Sequence, residues 1–394
     1  MAARTGLSIL TSDQEQWRIR PINYVHDPLP RSLPMTLDIT ELPFPDAQPQ
    51  IHNTRLICPY RVLTPIRAGL PYYSRIPHVL EYKNWHASIN ASKNFLELLA
   101  ADLNVGDMTT RAGMRLRDLA VRELDQMLCE DRCMRAAAYM YPFCDAGRRL
   151  EIVAVLMVME CLFDGKTGQQ LIVEFLKCLE TGEPSPLRQL FRDMFAEMKS
   201  LDGRQGDGGA QIIAALNGPA DDVNTTGAVQ CLQEWLETRR NSYTDRVFAY
   251  VKFSIGSTVD LAQPDIKIFK EWAADHLTMT SDLYSYRKEK EAWYAEHDQS
   301  MMHGVEWLDL NAVTVMQSLL SWPRDEAALQ STVFQVMQSE QYLFEELHCL
   351  LAKPPVDAET RRYVRAVWAC LAGHTFYCMT SESNGGPGAR AVWT

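Results

Sequence analysis

Polar side chains recur every four residues in one long segment of helical character. Ser281, Ser285 and Glu289 occupy positions i, i+4 and i+8 of this segment. At 3.6 residues per turn, successive members are displaced by only about 40°, so a helix would present them along one stripe. Two hydroxyls and a carboxylate supply oxygen ligands, which hard cations such as Mg²⁺ prefer. The spacing is equally typical of a solvated helix face with local charge pairs, so both interpretations stay open here.

A second pair of acids ends an otherwise apolar segment. Glu160 and Asp164 are spaced i, i+4 and close the apolar run that begins at Ile152. Because an unpaired carboxylate is costly to bury, this helix end must either emerge into water or meet cations. The first outcome is a plain helix terminus, and the second is a site for metal ions or basic side chains.

An arginine pair precedes the polar stripe along the chain. Arg239 lies 42 residues before Ser281 and is followed directly by Arg240. A guanidinium group can bind a phosphate through two parallel hydrogen bonds, and its charge does not titrate away. Lys252 is a weaker alternative for the same task. An arginine pair is also common on solvated helix faces, so the residues alone do not decide its role.

The segment around Ser281 resembles the second metal motif of class I terpene synthases, Asn-Asp-x-x-Ser-x-x-x-Glu. Asp282, Ser285, Lys288 and Glu289 match this motif, and Ser281 stands in place of the Asn. Serine offers a shorter and weaker oxygen ligand than the family's residue. The match is closest to the fungal sesquiterpene cyclases and covers about residues 90 to 383.

The acid pair at the end of the apolar segment resembles the aspartate-rich motif of the same family, Asp-Asp-x-x-Asp. Glu160 falls on the first acid and Asp164 on the last, while Cys161 replaces the second. Phe163 and Gly165 also fit the motif. In the family the first acid bridges two metal ions, so the resemblance gives that role to Glu160.

Three further segments extend the resemblance, and a fourth limits it. Arg239 matches the segment that senses the diphosphate, and the run from Asn311 to Val313 resembles one that follows the metal motif in fungal members. The run from Gly373 to Tyr377 resembles the last long helix. The family's closing Arg-Tyr pair would fall at Ser383-Asn384 and is absent, which removes one diphosphate donor unless Arg390 replaces it.

The resemblance implies a carbon–oxygen lyase that ionises farnesyl diphosphate and cyclises the resulting allyl cation to a sesquiterpene. It implies a cluster of three Mg²⁺ ions, held between facing helices by Glu160, Asp164, Ser281, Ser285 and Glu289. Arg239 and Lys288 would bind the diphosphate. A dry cavity would protect the cation, and aromatic faces stabilise it by about 1–2 kcal/mol per well-placed ring. The candidate rings are Phe163, Phe376, Tyr377 and Phe95, although any single aromatic residue is more often ordinary core.

Two other functions remain open at the level of the sequence. A prenyltransferase would use the same allyl cation but add it to a second substrate. A non-catalytic helical scaffold would fit the departures at Glu160, Cys161 and Ser281 if metal binding has been lost.

The product cannot be derived from the residues, and a simple hydrocarbon such as humulene is compatible with a simplified site. A homodimer is common for the family's fold.

Composition limits the class of protein and its partners. The chain has 394 residues, a formal net charge of −11 and 46% hydrophobic residues, which is enough for a sizeable core. No basic stripe is visible, which argues against nucleic acid as the main partner. The first residues lack a signal-peptide core, and the apolar run from Ile152 to Phe163 is too short to span a bilayer. These features predict a cytoplasmic protein without a membrane span.

Ten cysteines without CxxC pairs predict neither a zinc site nor a disulfide framework.

The elements that must position these residues are predicted to be almost all helices. Eleven of the 20 prolines precede residue 78, so residues 1–80 are predicted to be an irregular segment packed on the body. Residues 81–383 are predicted to form one all-α domain, a helical bundle around an apolar cavity, and residues 384–394 a tail. Lys290–Leu310 would be a mobile lid, and the Gly-rich run 203–209 a flexible connection. The predicted helices are Asn94–Leu103, Thr109–Cys129, Arg132–Tyr141, Arg148–Asp164, Gln169–Glu180, Pro186–Ser200, Val229–Ile255, Ile266–Glu296, Leu308–Ser321, Glu326–Ala352 and Ala358–Ser381.

Overall fold

Helices dominate the described part of the chain, which confirms the all-α prediction. The computed structural model describes residues 8–10, 16–18, 60–63, 65, 73–76, 78–110, 113–125, 133–163, 168–204, 206–218, 231–240, 242–296, 311–321, 325–352 and 357–381. The helices within these ranges are α1 (Trp85–Ala101), α2 (Leu116–Asp125), α3 (Cys133–Met140), α4 (Gly147–Leu162), α5 (Gly168–Thr181), α6 (Pro186–Asp202), α7 (Gly208–Leu216), α8 (Leu232–Arg239), α9 (Ser242–Ser254), α10 (Pro264–Glu296), α11 (Ala312–Leu319), α12 (Asp325–Ala352) and α13 (Ala358–Thr380).

Several predictions fall outside the described residues. They concern Asp164, most of the segment before residue 73, the part of the proposed lid after Glu296, and the tail with Arg390.

Local sequence explains where several helices begin and end. The Ser185 side chain caps α6 by accepting a hydrogen bond from the backbone N–H of Arg188 at 3.2 Å, and Pro186 occupies the first turn. The same helix stops at Gly203, whose φ of 68° is readily adopted only by glycine. Asp357 caps α13 through the backbone N–H of Thr360 at 2.6 Å.

The long helix α10 packs on both α12 and α13, and α4 packs on α1 and α3. Every residue of α4 from Ile152 to Met159 is buried, so this helix is surrounded by protein on all sides. Contact between α13 and α3 is especially close, because a Cβ added at Gly373 would lie 2.1 Å from the Tyr139 carbonyl oxygen. The core therefore connects α4, which carries Glu160 in its last turn, with the helices around α10.

Two helix predictions are wrong in instructive ways. The single helix predicted over Val229–Ile255 is two helices, α8 and α9, separated around Arg240. Arg240 is the C-cap residue of α8, and α9 begins at Ser242. The flexible connection predicted over 203–209 is wrong at its end, because Gly208 begins α7. A Cβ at Gly208 would lie 2.8 Å from the backbone of Phe253, so this glycine permits α7 and α9 to pack closely.

Short strands lie in the N-terminal segment that was predicted to be irregular. Two antiparallel pairs form there, β1 (Ser8–Leu10) with β2 (Gln16–Arg18) and β3 (Tyr60–Leu63) with β4 (Val79–Tyr82). In the second pair Tyr60 is opposite Tyr82, and the Tyr60 ring packs edge-on against Phe143 at 5.4 Å between centroids. None of the described helices combines the length and the apolar character that crossing a bilayer requires.

Candidate active site

Helix α10 carries the polar stripe that the sequence predicts. Ser281, Ser285 and Glu289 lie within this one uninterrupted helix, so their side chains share a face. Ser285 is buried and donates a hydrogen bond to Glu289 Oε1 at 2.6 Å. Glu289 and the adjacent Lys288 are exposed, and Ser281 is partly buried. The stripe therefore runs from the protein interior to a solvent-accessible carboxylate.

Asp282, one residue beyond the first member of the stripe, links α10 to two other helices. Its Oδ1 lies 3.3 Å from a terminal nitrogen of Arg239 at the end of α8. Its Oδ2 accepts the backbone N–H of Ala312, the first residue of α11, at 2.8 Å. Burial raises the pKa of Asp282 to about 7, although Arg239 and the Ala312 N–H both favour the ionised form. Asp282 thus orients Arg239 at the stripe.

Asn311 joins the same network from the start of α11. It is the N-cap residue of that helix, and its Oδ1 accepts the backbone N–H of Val313 at 2.9 Å. Its side-chain amide donates to the Asp282 carbonyl and to Glu289 Oε2, each at 2.9 Å. Glu289 is therefore held by hydrogen bonds on both carboxylate oxygens.

Glu160, in the last turn of α4, meets a cationic and a hydroxyl partner from α9. Its Oε1 accepts a hydrogen bond from the Tyr250 hydroxyl at 2.6 Å and lies 2.7 Å from Arg246 Nε. Arg246 is itself buried and also donates to Gln169 Oε1 at 2.5 Å. The sequence left two outcomes for this helix end, exposure to water or contact with a cation. In the structure the Glu160 carboxylate contacts a cation, Arg246.

Arg240 and Lys252 anchor helices to one another. Arg240 makes two hydrogen bonds to the buried Asp275 of α10, both at 2.6 Å, which attach the end of α8 to α10 and so locate the neighbouring Arg239. Burial raises the pKa of Asp275, and its hydrogen bonds to Arg240 oppose this rise. Lys252, the alternative phosphate ligand, is 1% exposed and forms an ion pair with Asp207 before α7.

The candidate aromatic residues are packed among other rings. Phe163 lies 5.1 Å from Phe175, measured between ring centroids, and Phe95 lies 5.8 Å from Phe191. These four rings form one continuous group, since Phe175 and Phe191 are 5.3 Å apart. Phe376 packs edge-on against Tyr139 at 4.9 Å, while Tyr377 is partly buried. Phe163 and Phe95 therefore belong to the helical core on the side of α5 and α6.

The donor atoms of the α10 stripe suit a hard cation. The hydroxyl oxygen of Ser285 and the carboxylate oxygens of Glu289 are both of the type that Mg²⁺ accepts. The described residues contain no group of three or more His, Cys, Asp or Glu side chains arranged to hold a metal. Asp164 lies outside the described residues, and Glu160 is paired with Arg246. The convergence of Glu160 and Glu289 on one metal cluster stays a prediction.

A cleft of about 290 Å³ opens between α8, α10 and α12. Its α10 residues, Trp272, Asp275 and Met279, lie on a face turned by roughly 110° from the stripe. The remaining lining residues are Leu232, Gln233, Leu236, Gln335, Gln338, Ser339 and Tyr342. Because it lies on another face of α10, this cleft does not adjoin Ser281, Ser285 and Glu289.

Sequence reasoning missed four residues that build this site. Arg246 and Tyr250 were not singled out, although a cation facing Glu160 was one of the two outcomes that the cost of burying its charge allowed. Arg240 was noted only as a neighbour of Arg239. Asn311 was recognised as part of a motif without a role, and nothing local indicates that its side chain reaches back to α10.

Comparison with known proteins agrees with this architecture. No protein-family model matches the chain. The sequence is 23% identical over 332 residues to Terpene cyclase 6 of Gibberella fujikuroi, covering 81% of this chain and 83% of that protein.

Solved structures extend the comparison to the fold. Aristolochene synthase from Penicillium roqueforti superposes with a TM-score of 0.57 at 15% identity, over 76% of this chain and 96% of that one. A cucumene synthase variant does so with a TM-score of 0.53 at 12% identity and the same coverage. The chain therefore has the class I terpene synthase fold, and its sequence is similar to that of a fungal terpene cyclase.

Proposed function

We propose that this protein is a terpene cyclase that ionises farnesyl diphosphate and closes the allyl cation to a sesquiterpene. The observation that carries the proposal is the network of Glu289, Ser285, Asn311, Asp282 and Arg239, in which oxygen ligands and a guanidinium group lie side by side. Such a pairing suits a substrate with a metal-bound diphosphate. The similarity to a fungal terpene cyclase supports the same function.

The chain's own residues would divide the work between binding and orientation. Arg239, with its side chain 36% exposed, can donate outward to a diphosphate oxygen while Asp282 holds it from behind. Lys288 is exposed next to Glu289 and adds a second positive charge. Both groups would stabilise the negative charge that develops as the carbon–oxygen bond breaks.

Five residues would hold the metal cluster, namely Glu160, Asp164, Ser281, Ser285 and Glu289. Mg²⁺, when bound, would supply Lewis-acid neutralisation of the leaving diphosphate. For Glu160 to take part, its carboxylate must be shared with, or released from, Arg246 and Tyr250. Phe163, Phe376 and Tyr377 remain our candidates for shielding the cation from water.

A direct assay tests the proposal. The purified chain is incubated with geranyl, farnesyl or geranylgeranyl diphosphate and Mg²⁺, and the extract is analysed by gas chromatography and mass spectrometry. We expect a cyclic C15 hydrocarbon from farnesyl diphosphate. A coupled product with a longer chain would instead indicate a prenyltransferase, which uses the same cation with a second substrate.

Two substitutions test the metal ligands. Glu160→Gln and Glu289→Gln each remove a negative charge but keep the shape, and each should lower kcat/KM by at least about 100-fold, since metal stabilisation is worth several kcal/mol. Glu291→Gln, at an exposed position of the same helix, is the matched control and should leave turnover unchanged. Full activity in both ligand variants, with unchanged circular dichroism, would discard the assignment.

One observation favours a second candidate function. Arg246 already neutralises Glu160 in the described structure, which suits a helical scaffold that no longer binds metal. The melting temperature with Mg²⁺ and pyrophosphate separates the two functions, because a scaffold without a metal site should show no shift.

A further inference from the structure

The hydrogen-bond partners of Asn311 determine the orientation of its side-chain amide. Its two amide hydrogens point to the Asp282 carbonyl and to Glu289 Oε2, both of which can only accept. Its oxygen faces the Val313 N–H, which can only donate. The reversed amide would break all three hydrogen bonds, so a single arrangement satisfies the site. The residue is 1% exposed, so water cannot replace these partners.

These contacts restrict the Glu289 side chain. An exposed glutamate ordinarily samples many rotamers, and ordering it costs conformational entropy. Here Ser285 holds Oε1 and Asn311 holds Oε2, so both ends of the carboxylate are fixed at once. Each oxygen has two lone pairs and accepts one of these hydrogen bonds, which leaves acceptor capacity on the exposed carboxylate for a cation.

The same side chain connects Glu289 with the arginine of the site. Asn311 bonds the backbone of Asp282, and the Asp282 carboxylate bonds both Arg239 and the N-terminus of α11. A displacement of Asn311 would therefore disturb the acid on α10 and the support of Arg239 together. Groups that orient metal ligands in this way ordinarily change metal affinity by 10–100-fold when they are lost.

We propose that Asn311 is a positioning residue, which holds Glu289 in the orientation that binds Mg²⁺ and couples it to Arg239 through Asp282. The proposal rests on the proposed function, because it assumes that Glu289 is a metal ligand. Asn311 itself touches neither metal nor substrate. Its capping of α11 is a separate role, and the test must distinguish the two.

Two substitutions keep the cap and remove the positioning. Asn311→Ser retains an oxygen that can cap α11 but lacks the amide that reaches Glu289, and Asn311→Asp places a carboxylate against two acceptors. The readout is binding of Mg²⁺ with inorganic pyrophosphate, titrated by calorimetry on the full chain. We expect the apparent Kd for Mg²⁺ to rise by about 10–100-fold in Asn311→Ser, and by more in Asn311→Asp. Asp357→Asn, a matched cap exchange on α13, should leave the Kd unchanged.

A double-mutant cycle shows whether Asn311 acts through Glu289. In a Glu289→Gln background, Asn311→Ser should have little further effect on the Kd, since the ligand that it positions is already impaired. An unchanged Kd in Asn311→Ser, alongside a raised Kd in Glu289→Gln, would overturn the proposal and leave the proposed function standing. An unchanged Kd in Glu289→Gln would overturn the metal assignment itself, and the positioning role with it.

Discussion

Glu340 offers a sharp test of how burial controls the stability of this protein. The residue lies on α12 and is fully buried beneath the segment 73–76. Its Oε1 accepts the Ser74 hydroxyl at 2.6 Å, and its Oε2 accepts the backbone N–H of Arg75 at 2.5 Å. His276 Nδ1 lies 3.9 Å from Oε1, and burial lowers the pKa of His276 to about 3, so the imidazole is neutral near pH 7. A second buried imidazole nearby, His374, has its pKa lowered by burial to about 4.

The structure gives the sign and the size of the effect. Burial raises the pKa of Glu340 from 4.5 to about 7, and the hydrogen bonds from Ser74 and Arg75 oppose this rise only in part. Because the folded pKa exceeds the unfolded value, the contribution of Glu340 to stability is fully present below about pH 4.5. It is lost as the pH rises through about 7. At about 1.4 kcal/mol per pKa unit, the loss is on the order of 3 kcal/mol.

Glu340→Gln removes this titration while keeping the shape of the side chain. The glutamine oxygen can accept from Arg75, and its amide can donate to the Ser74 hydroxyl. The free energy of unfolding in urea should be measured at intervals from pH 4.5 to 8.5 for both proteins. Relative to the wild type, the variant should gain on the order of 3 kcal/mol of stability between the two ends of this range.

Glu345→Gln is the matched control for Glu340→Gln. Glu345→Gln changes an exposed carboxylate on the same helix and should show a pH dependence close to that of the wild type. Titrations of other groups cancel in each difference because they are common to both proteins. A difference between Glu340→Gln and the wild type that stays constant across the range, or that falls with pH, would refute the burial argument.

Two further predictions concern helix packing and capping. Gly373→Ala should lower the free energy of unfolding by about 1–3 kcal/mol, because the added methyl would overlap the Tyr139 carbonyl at 2.1 Å. If only helix propensity mattered, the free energy measured by urea unfolding would instead rise by about 1 kcal/mol. Asp357→Ala should cost about 1 kcal/mol at pH 7, because Asp357 caps α13 through Thr360. The Thr360 N–H lowers the pKa of Asp357, so this loss should shrink as the pH falls below about 4, and a loss independent of pH would contradict the cap.

Much of the site's local arrangement could be predicted from the sequence, because it depends on helical periodicity. One helix carries Ser281, Ser285 and Glu289, as their spacing of four residues predicts. The Ser285–Glu289 hydrogen bond is an i, i+4 contact. The apolar helix that carries Glu160 near its end is likewise present. Helix boundaries were less predictable, and the break at Arg240 and the extra helix α7 depend on caps and on packing against Phe253.

Periodicity within single segments was sufficient to predict the helical class of the fold and the stripe on α10, and the cost of burying charge restricted Glu160 to contact with water or with a cation. The packing of the helices brings Arg246 to Glu160, Arg239 to Asp282 and Asn311 to Glu289, and no local pattern indicates these contacts. These pairs are separated by 86, 43 and 22 residues and form only when α4, α8, α9, α10 and α11 pack together. Local propensity carries no information about such distant partners, because any of several basic or amide side chains could have filled each place.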